Sequence, residues 1–317
     1  MSNNLKRFLS LIILLVIFAA IGYYLTVNAD LLLSLSHISI GSVFLLIFLR
    51  FLFLATNGLF LQAFAAKFEI DLKFVEWFGL SVVTAFGNYI TPFSGGLIAR
   101  ATYLKHQHNF PYTQFVALLA SNYLVNFWVI GIIGSVTIIT WFNDLSRFSW
   151  QILFLFLALT VSISILALVP PFSLPASNKF FRLINTSLTG WSVVKKDKVL
   201  LVKLVTYSLI NILLNGVSFW VAYQALDFNV SFLKALMVSL MSVFSLLLNV
   251  TPGNLGIQEA VIGLSSALLD VGTGEGLVAA LIVRATTVIF VFLMGPLFGY
   301  LLSHRITTSK HLNVKSQ

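Results

Sequence analysis

Apolar residues along this chain come in long blocks, and polar residues gather in the short stretches between them. The blocks at 8–27, 41–66, 113–140, 149–171, 200–225 and 277–302 each reach the roughly 20 residues a helix needs to cross about 30 Å of hydrocarbon. They predict six spanning helices. Two further blocks, 74–104 and 232–270, are as apolar but are interrupted midway by Pro and Gly, so each predicts two helical arms around a break. The stretch 172–199 differs. It carries Pro175 and the basic residues Lys179, Arg182, Lys195, Lys196 and Lys198 among Phe180, Phe181, Leu183, Ile184 and Trp191. That mixture predicts a connector with an amphipathic piece on the inner leaflet. The expected fold is an all-α polytopic membrane protein, with six spans and two broken hairpins.

Lys6 and Arg7 precede the first block, and Val27-Asn28-Ala29 loosely fits a cleavage site. A run of about 20 apolar residues is longer than the usual 7–15 of a secretory signal core, so the first helix is expected to be retained.

Composition agrees with the pattern: 59% of the 317 residues are hydrophobic and 9% charged, whereas soluble domains carry about 25% charged residues. The absence of cysteine excludes disulfides and Cys-ligated metal, and no cofactor or metal is expected. The net charge of +9 sits in the connectors rather than on one basic face, which argues against nucleic acid as a partner. With the N-terminus inside, Lys and Arg at positions 6, 7, 67, 73, 105, 179, 182, 195, 196, 198, 203, 305, 310 and 315 fall on the cytoplasmic side, and only Arg147 and Lys234 fall outside. The positive-inside rule then predicts a protein of the cytoplasmic membrane with both termini cytoplasmic. The balance requires each broken block to enter and leave on one side, either as a re-entrant hairpin or as a pair of crossings.

The two broken blocks resemble each other. Asn88-Tyr-Ile-Thr91-Pro92-Phe-Ser-Gly95-Gly96 parallels Asn249-Val-Thr251-Pro252-Gly253-Asn-Leu-Gly256 at an offset of 160 residues. Phe68-Glu-Ile and Phe228-Asn-Val, Asn57-Gly58 and Asn215-Gly216, and Val116-Ala-Leu-Leu and Val278-Ala-Ala-Leu follow at nearly that offset. Within a single membrane domain of 1–317, this delimits repeat 1 at 41–140, a span plus connector at 141–199, repeat 2 at 200–302 and a basic tail at 303–317. Block 41–66 runs inward by the charge count and its counterpart 200–225 outward, so the repeats are inverted. Transporters of that architecture hold substrate near the midplane between broken helices.

Pro92 and Pro252 lack an N–H and disfavour helix at the preceding residue. A helix arriving at Thr91 or Thr251 is expected to stop, and a new one to start with Thr as N-cap. The new N-terminus is a ready anion site, and Gly95, Gly96, Gly253 and Gly256, with Asn254 beside them, leave room for a headgroup or the opposing hairpin. Ordinary kinks repaired by neighbouring helices are the alternative. Arg100 and Glu259 lie eight and seven residues after the two prolines. Both are expected to face the interior, where they would meet each other. Arg100 would clamp a phosphate and Glu259 would receive an amine or cycle a proton; a purely structural ion pair, or for Arg100 a side chain reaching the interface, also fits. Arg284 is a second phosphate contact or a counter-ion for Glu259. Arg50 is site or scaffold. Asn88, Asn122, Asn126, Asn211, Asn215 and Asn249 suit polar contacts between helices as readily as the lining of a pathway, and contacts are the expectation for most of them. His106 and His108 read as a solvated loop with no acidic partner, and no Walker, dinucleotide or HExxH motif is present. No catalytic residue is predicted.

The run from Asn249 to Glu259, with Pro252, Gly253, Gly256 and Glu259 in a Pro-Gly-x-x-Gly-x-x-Glu pattern, and Gly95-Gly96 followed by Arg100 resemble a known family. It is the flippase-like transmembrane region of lysylphosphatidylglycerol synthases, also described as UPF0104 membrane proteins. The resemblance covers essentially the whole chain and implies movement of phospholipids or lipid-linked intermediates between leaflets. The bifunctional synthases add a soluble aminoacyl-transferase domain after the membrane region. Here the sequence ends about 15 residues past the last predicted span, so no aminoacylation is expected. The expected function is flippase-like transport, with a lipid substrate and the membrane as partners. The rivals are a membrane-embedded lipid transferase and a scaffold for envelope-biosynthesis enzymes.

Overall fold

The computed structural model describes residues 38–91, 94–141, 147–169, 178–248 and 251–315. The predicted span 8–27, Pro92, Pro175 and Asn249 lie outside the described residues. Ten α-helices and no strand occur among those residues: α1 Ile40–Ala66, α2 Phe74–Ile90, α3 Gly95–His108, α4 Tyr112–Trp141, α5 Arg147–Leu168, α6 Lys179–Lys196, α7 Lys198–Ala225, α8 Phe232–Ser242, α9 Ile257–Leu268 and α10 Thr273–Lys315. Two 3₁₀ segments, Val243–Leu248 and Pro252–Asn254, lie between α8 and α9.

Helices α1, α4, α5, α7 and α10 contain stretches long and apolar enough to cross a bilayer. They coincide with five of the six blocks read from sequence. On α5 the division of surfaces is plain. Phe156 is fully buried, whereas Phe154 (74%) and Leu168 (85%) are largely exposed. A row of bare aromatic and aliphatic side chains is the outer face expected where lipid is the solvent. The fold is an all-α polytopic membrane protein.

Both apolar blocks that contained Pro and Gly are broken. In the first, α2 ends at Ile90 and α3 begins at Gly95. At 1.5 Å per residue these arms of 17 and 14 residues are about 25 and 21 Å long, each short of the hydrocarbon thickness. In the second, α8 gives way to 3₁₀ turns before α9 starts at Ile257. Helix starts at 40, 74, 95 and 112 recur at 198, 232, 257 and 273.

The amphipathic piece of the connector forms α6. It packs on α4, with Gly190 directly against Ala117, and Trp191 and Val194 are buried. Its apolar side is therefore covered at least in part by protein rather than by the leaflet alone, because a small residue lets the backbones approach.

The residues fall into two compact units, each drawing on both halves of the sequence. One comprises the described residues of Met1–Leu54, Ser81–Ala99 and Ile212–Gly299. It contains both helix breaks. The other comprises Ala55–Leu80, Arg100–Asn211 and the described part of Tyr300–Gln317, and it holds α4, α5 and α6.

Candidate functional site

The second break is built around one arginine. Arg284, on α10, donates through Nε to the Glu259 carboxylate, through Nη1 to the Gly253 carbonyl at 2.8 Å and through Nη2 to Gln258 Oε1 at 3.0 Å. All three acceptors lie in or just after the break. Backbone freed from helix in an apolar protein must find partners, and Arg284 supplies one for the Gly253 carbonyl. The other Glu259 oxygen accepts the Gly256 N–H at 2.6 Å. Glu259 is the third residue of α9 and so closes the start of its own helix, the carboxylate half of a capping box. Gly256 sits at φ 80°, ψ −42°, a conformation that side chains rarely adopt.

These contacts change three expectations. The N-terminus of α9 is already occupied by the Glu259 carboxylate, so it is not an open anion site. Thr251 does precede Pro252 at the start of a 3₁₀ turn, but its hydroxyl donates to the Leu255 carbonyl at 2.9 Å and accepts nothing from the turn. And Glu259 takes its counter-charge from Arg284, the alternative role that the sequence had left to that arginine.

The first break is closed in a related way. Asn88 Oδ1 accepts the Gly96 N–H at 3.0 Å, and the Thr91 hydroxyl turns back to the Gly87 carbonyl at 2.5 Å instead of capping α3. A Cβ on Gly96 would run into the Thr84 carbonyl, and one on Gly87 would lie 2.7 Å from the Gly96 Cα. Gly96 therefore serves the close packing of α2 on α3. The tips of the two hairpins touch. A Cβ on Gly253 would come within 2.5 Å of the Tyr89 ring, and that ring lies 5.8 Å from the Arg284 guanidinium.

A cavity of about 180 Å³ opens beside this contact. Tyr89, Gln258, Glu259, Arg284, Thr287 and Arg50 are among its lining residues. Of the site residues expected from sequence, Glu259 and Arg284 line it; Thr91, Gly95, Gly96, Arg100, Thr251, Gly253, Asn254 and Gly256 are not among its lining residues. Asn254 is buried behind it, with Nδ2 on Ser245 Oγ at 2.8 Å. Arg100 belongs to the other unit, where it is buried and its Nη2 approaches the Leu80 carbonyl at 3.5 Å. Tyr89 and Gln258 were missed by sequence reasoning. They stand inside the two motifs that were noticed, and only their neighbourhood distinguishes them.

Polar contacts also correct the reading of His108. It ends α3 rather than lying in a solvated loop, and its Nε2 meets Glu76 Oε1 at 2.8 Å. Buried Glu76 also accepts from the Tyr103 hydroxyl at 2.9 Å and the Lys73 N–H at 3.1 Å, with Arg305 at 3.7 Å. The partners are 27 and 32 residues apart in sequence, which hid the pairing. This cluster ties the outer ends of α2 and α3 together. Of the asparagines, Asn215 bridges to Ser239 on α8 at 2.9 Å, a contact between helices as expected.

The second apolar hairpin is thus broken, closed by a carboxylate and pinned by an arginine from the last long helix. The family model described as lysylphosphatidylglycerol synthase TM region matches residues 7–295. The chain belongs to that family. No curated protein and no solved structure matches it. The match covers both broken hairpins and all five described spanning helices, up to residue 295 of the last. As a member of the lysylphosphatidylglycerol synthase TM-region family, the chain is a multi-pass membrane protein of a lipid-related family.

Proposed function

We propose that this chain moves a phospholipid or lipid-linked phosphate intermediate between leaflets, as a transporter rather than an enzyme. The headgroup would pass through the cavity beside the second break while the acyl chains stay in lipid. The observation that carries the reading is a charged cavity beside a helix break in an otherwise apolar helical protein. Non-helical backbone at membrane depth is tolerated where it is buried in protein or lines a wet cavity. The volume of about 180 Å³ is below the roughly 300 Å³ at which pockets begin to take drug-sized ligands. It suits a headgroup and leaves no room for acyl chains.

Family membership supports a lipid as substrate. The recurrence of four helix starts at offsets of 158 to 162 residues, and arms too short to cross singly, support two inverted repeats with re-entrant hairpins in the cytoplasmic membrane. Glu259 is committed to Arg284 and the Gly256 N–H. That commitment favours movement down the lipid's own gradient over coupling through this carboxylate.

The test is translocation by the purified chain in vesicles containing fluorescent phosphatidylglycerol. Dithionite added outside bleaches the outer leaflet, and the expected result is loss of the protected inner fraction on a scale of minutes or faster. A protected fraction unchanged from protein-free vesicles, at every protein-to-lipid ratio, overturns the proposal.

A further inference from the structure

The charges around the cavity do not cancel. One carboxylate and two guanidinium side chains line it: Glu259, Arg50 and Arg284. Glu259 and Arg284 neutralise each other. Arg50, on α1, has its guanidinium 4.7 Å from the centre of the Phe53 ring. Among the described residues it makes no ion pair and no hydrogen bond. A guanidinium is costly to leave without an anion inside an apolar protein, and a single aromatic face compensates it only in part. The Tyr89 hydroxyl, on the same cavity, is likewise without a hydrogen-bond partner among the described residues. One cation with a fork of donors and one further O–H face a space whose one carboxylate is already paired.

We propose that this cavity binds one phosphate-type anion, with Arg50 taking its charge and Tyr89 offering a hydrogen bond, and so selects headgroups of net negative charge. Arg50 then belongs to the binding site and not to the scaffold. A headgroup bearing a free amine finds no available carboxylate here, because Glu259 is already paired. A zwitterionic headgroup brings its ammonium toward the Arg50 guanidinium and meets repulsion. The inference deepens the transport reading and rests on it for how the headgroup reaches the cavity. The phosphate could arrive on a lipid or as the free ion, and the chemistry of recognition is shared: a planar guanidinium fork on phosphate oxygens.

The experiment is calorimetric titration of the purified full chain in detergent with dihexanoyl-phosphatidylglycerol, dihexanoyl-phosphatidylcholine and inorganic phosphate. The phosphatidylglycerol is expected to bind about tenfold or more tightly than the phosphatidylcholine, a difference of about 1.4 kcal/mol. Arg50→Gln is expected to abolish that preference, Arg50→Lys to retain part of it as a point charge, and Tyr89→Phe to weaken it. Inorganic phosphate binding as tightly as the lipid, and lost in Arg50→Gln, supports the site with the free ion as its ligand. Equal affinity of the wild type for the two lipids, or a preference unchanged in Arg50→Gln, overturns the proposal. Should Arg50→Gln not fold, the wild-type comparison and Arg50→Lys decide it. A tenfold preference without translocation in vesicles removes the transport reading and leaves the site. Translocation of both lipids alike, unchanged in Arg50→Lys and Tyr89→Phe, does the reverse.

Discussion

Replacing Arg284 by methionine removes the cation at the second break while keeping a long apolar side chain. The Glu259 side chain is 3% exposed and would retain only the Gly256 N–H. The Gly253 carbonyl and Gln258 would lose their donors as well. Removing one member of a buried ion pair costs about 3–5 kcal/mol, because the other charge is left without compensation. The two bonds to neutral acceptors lie within that range rather than on top of it, since one side chain makes all three contacts. Glu259→Gln is gentler. It leaves Arg284 its contacts to Gly253 and Gln258 and the face of Tyr89, so a cost of about 1–3 kcal/mol is expected. The double variant Glu259→Gln/Arg284→Met buries no charge at the break. It should be less destabilised than the sum of the single variants, with a coupling of about 1–3 kcal/mol. The assay is reversible unfolding in mixed micelles titrated with sodium dodecyl sulfate, followed by circular dichroism. A cost below about 1 kcal/mol for Arg284→Met, or strictly additive variants, would refute the assignment of this pair as the pin of the break.

Gly253→Ala should cost about 1–2 kcal/mol for a side chain at positive φ, and more because the new methyl meets the Tyr89 ring. In the same titration, adding Tyr89→Ala should relieve the clash but not the backbone cost, so the double variant is more stable than the single costs sum to. At the exposed start of α7, hydrogen bonding from the Leu200 N–H, and then the Lys67 ammonium at 2.8 Å, hold the Asp197 carboxyl below its ordinary value of 3.8. A depressed carboxylate stabilises the fold above that ordinary value and loses its contribution as pH falls through the folded one. The melting temperature of the wild type should therefore fall more steeply than that of Asp197→Asn once the pH drops below about 4. Parallel curves would exclude the linkage.

Much of the architecture was legible in the sequence because hydrocarbon imposes length. A helix that crosses a bilayer must bring about 20 apolar residues in one run, and five such runs reappear as helices, four of them within a few residues of their expected ends and the last, α10, running on to Lys315. The breaks were legible for a related reason. Proline removes an N–H wherever it stands, and Thr-Pro followed by glycine marks a stop whatever packs around it. What a side chain touches once the chain has turned is a different matter. Glu259 was visible as an acid in an apolar block, but its choice of Arg284, 25 residues away, depends on α10 returning past the break. His108 met an acid 32 residues earlier for the same reason. Arg50 reads equally well as site or scaffold in the sequence, and only the fold places it on a cavity whose one carboxylate is already paired. Periodicity and proline act through the local backbone, so the sequence alone determined the helices and their interruptions. Pairing between ions depends on distance in space, and only the tertiary structure decided which cation is bound to Glu259 and which is left facing the cavity.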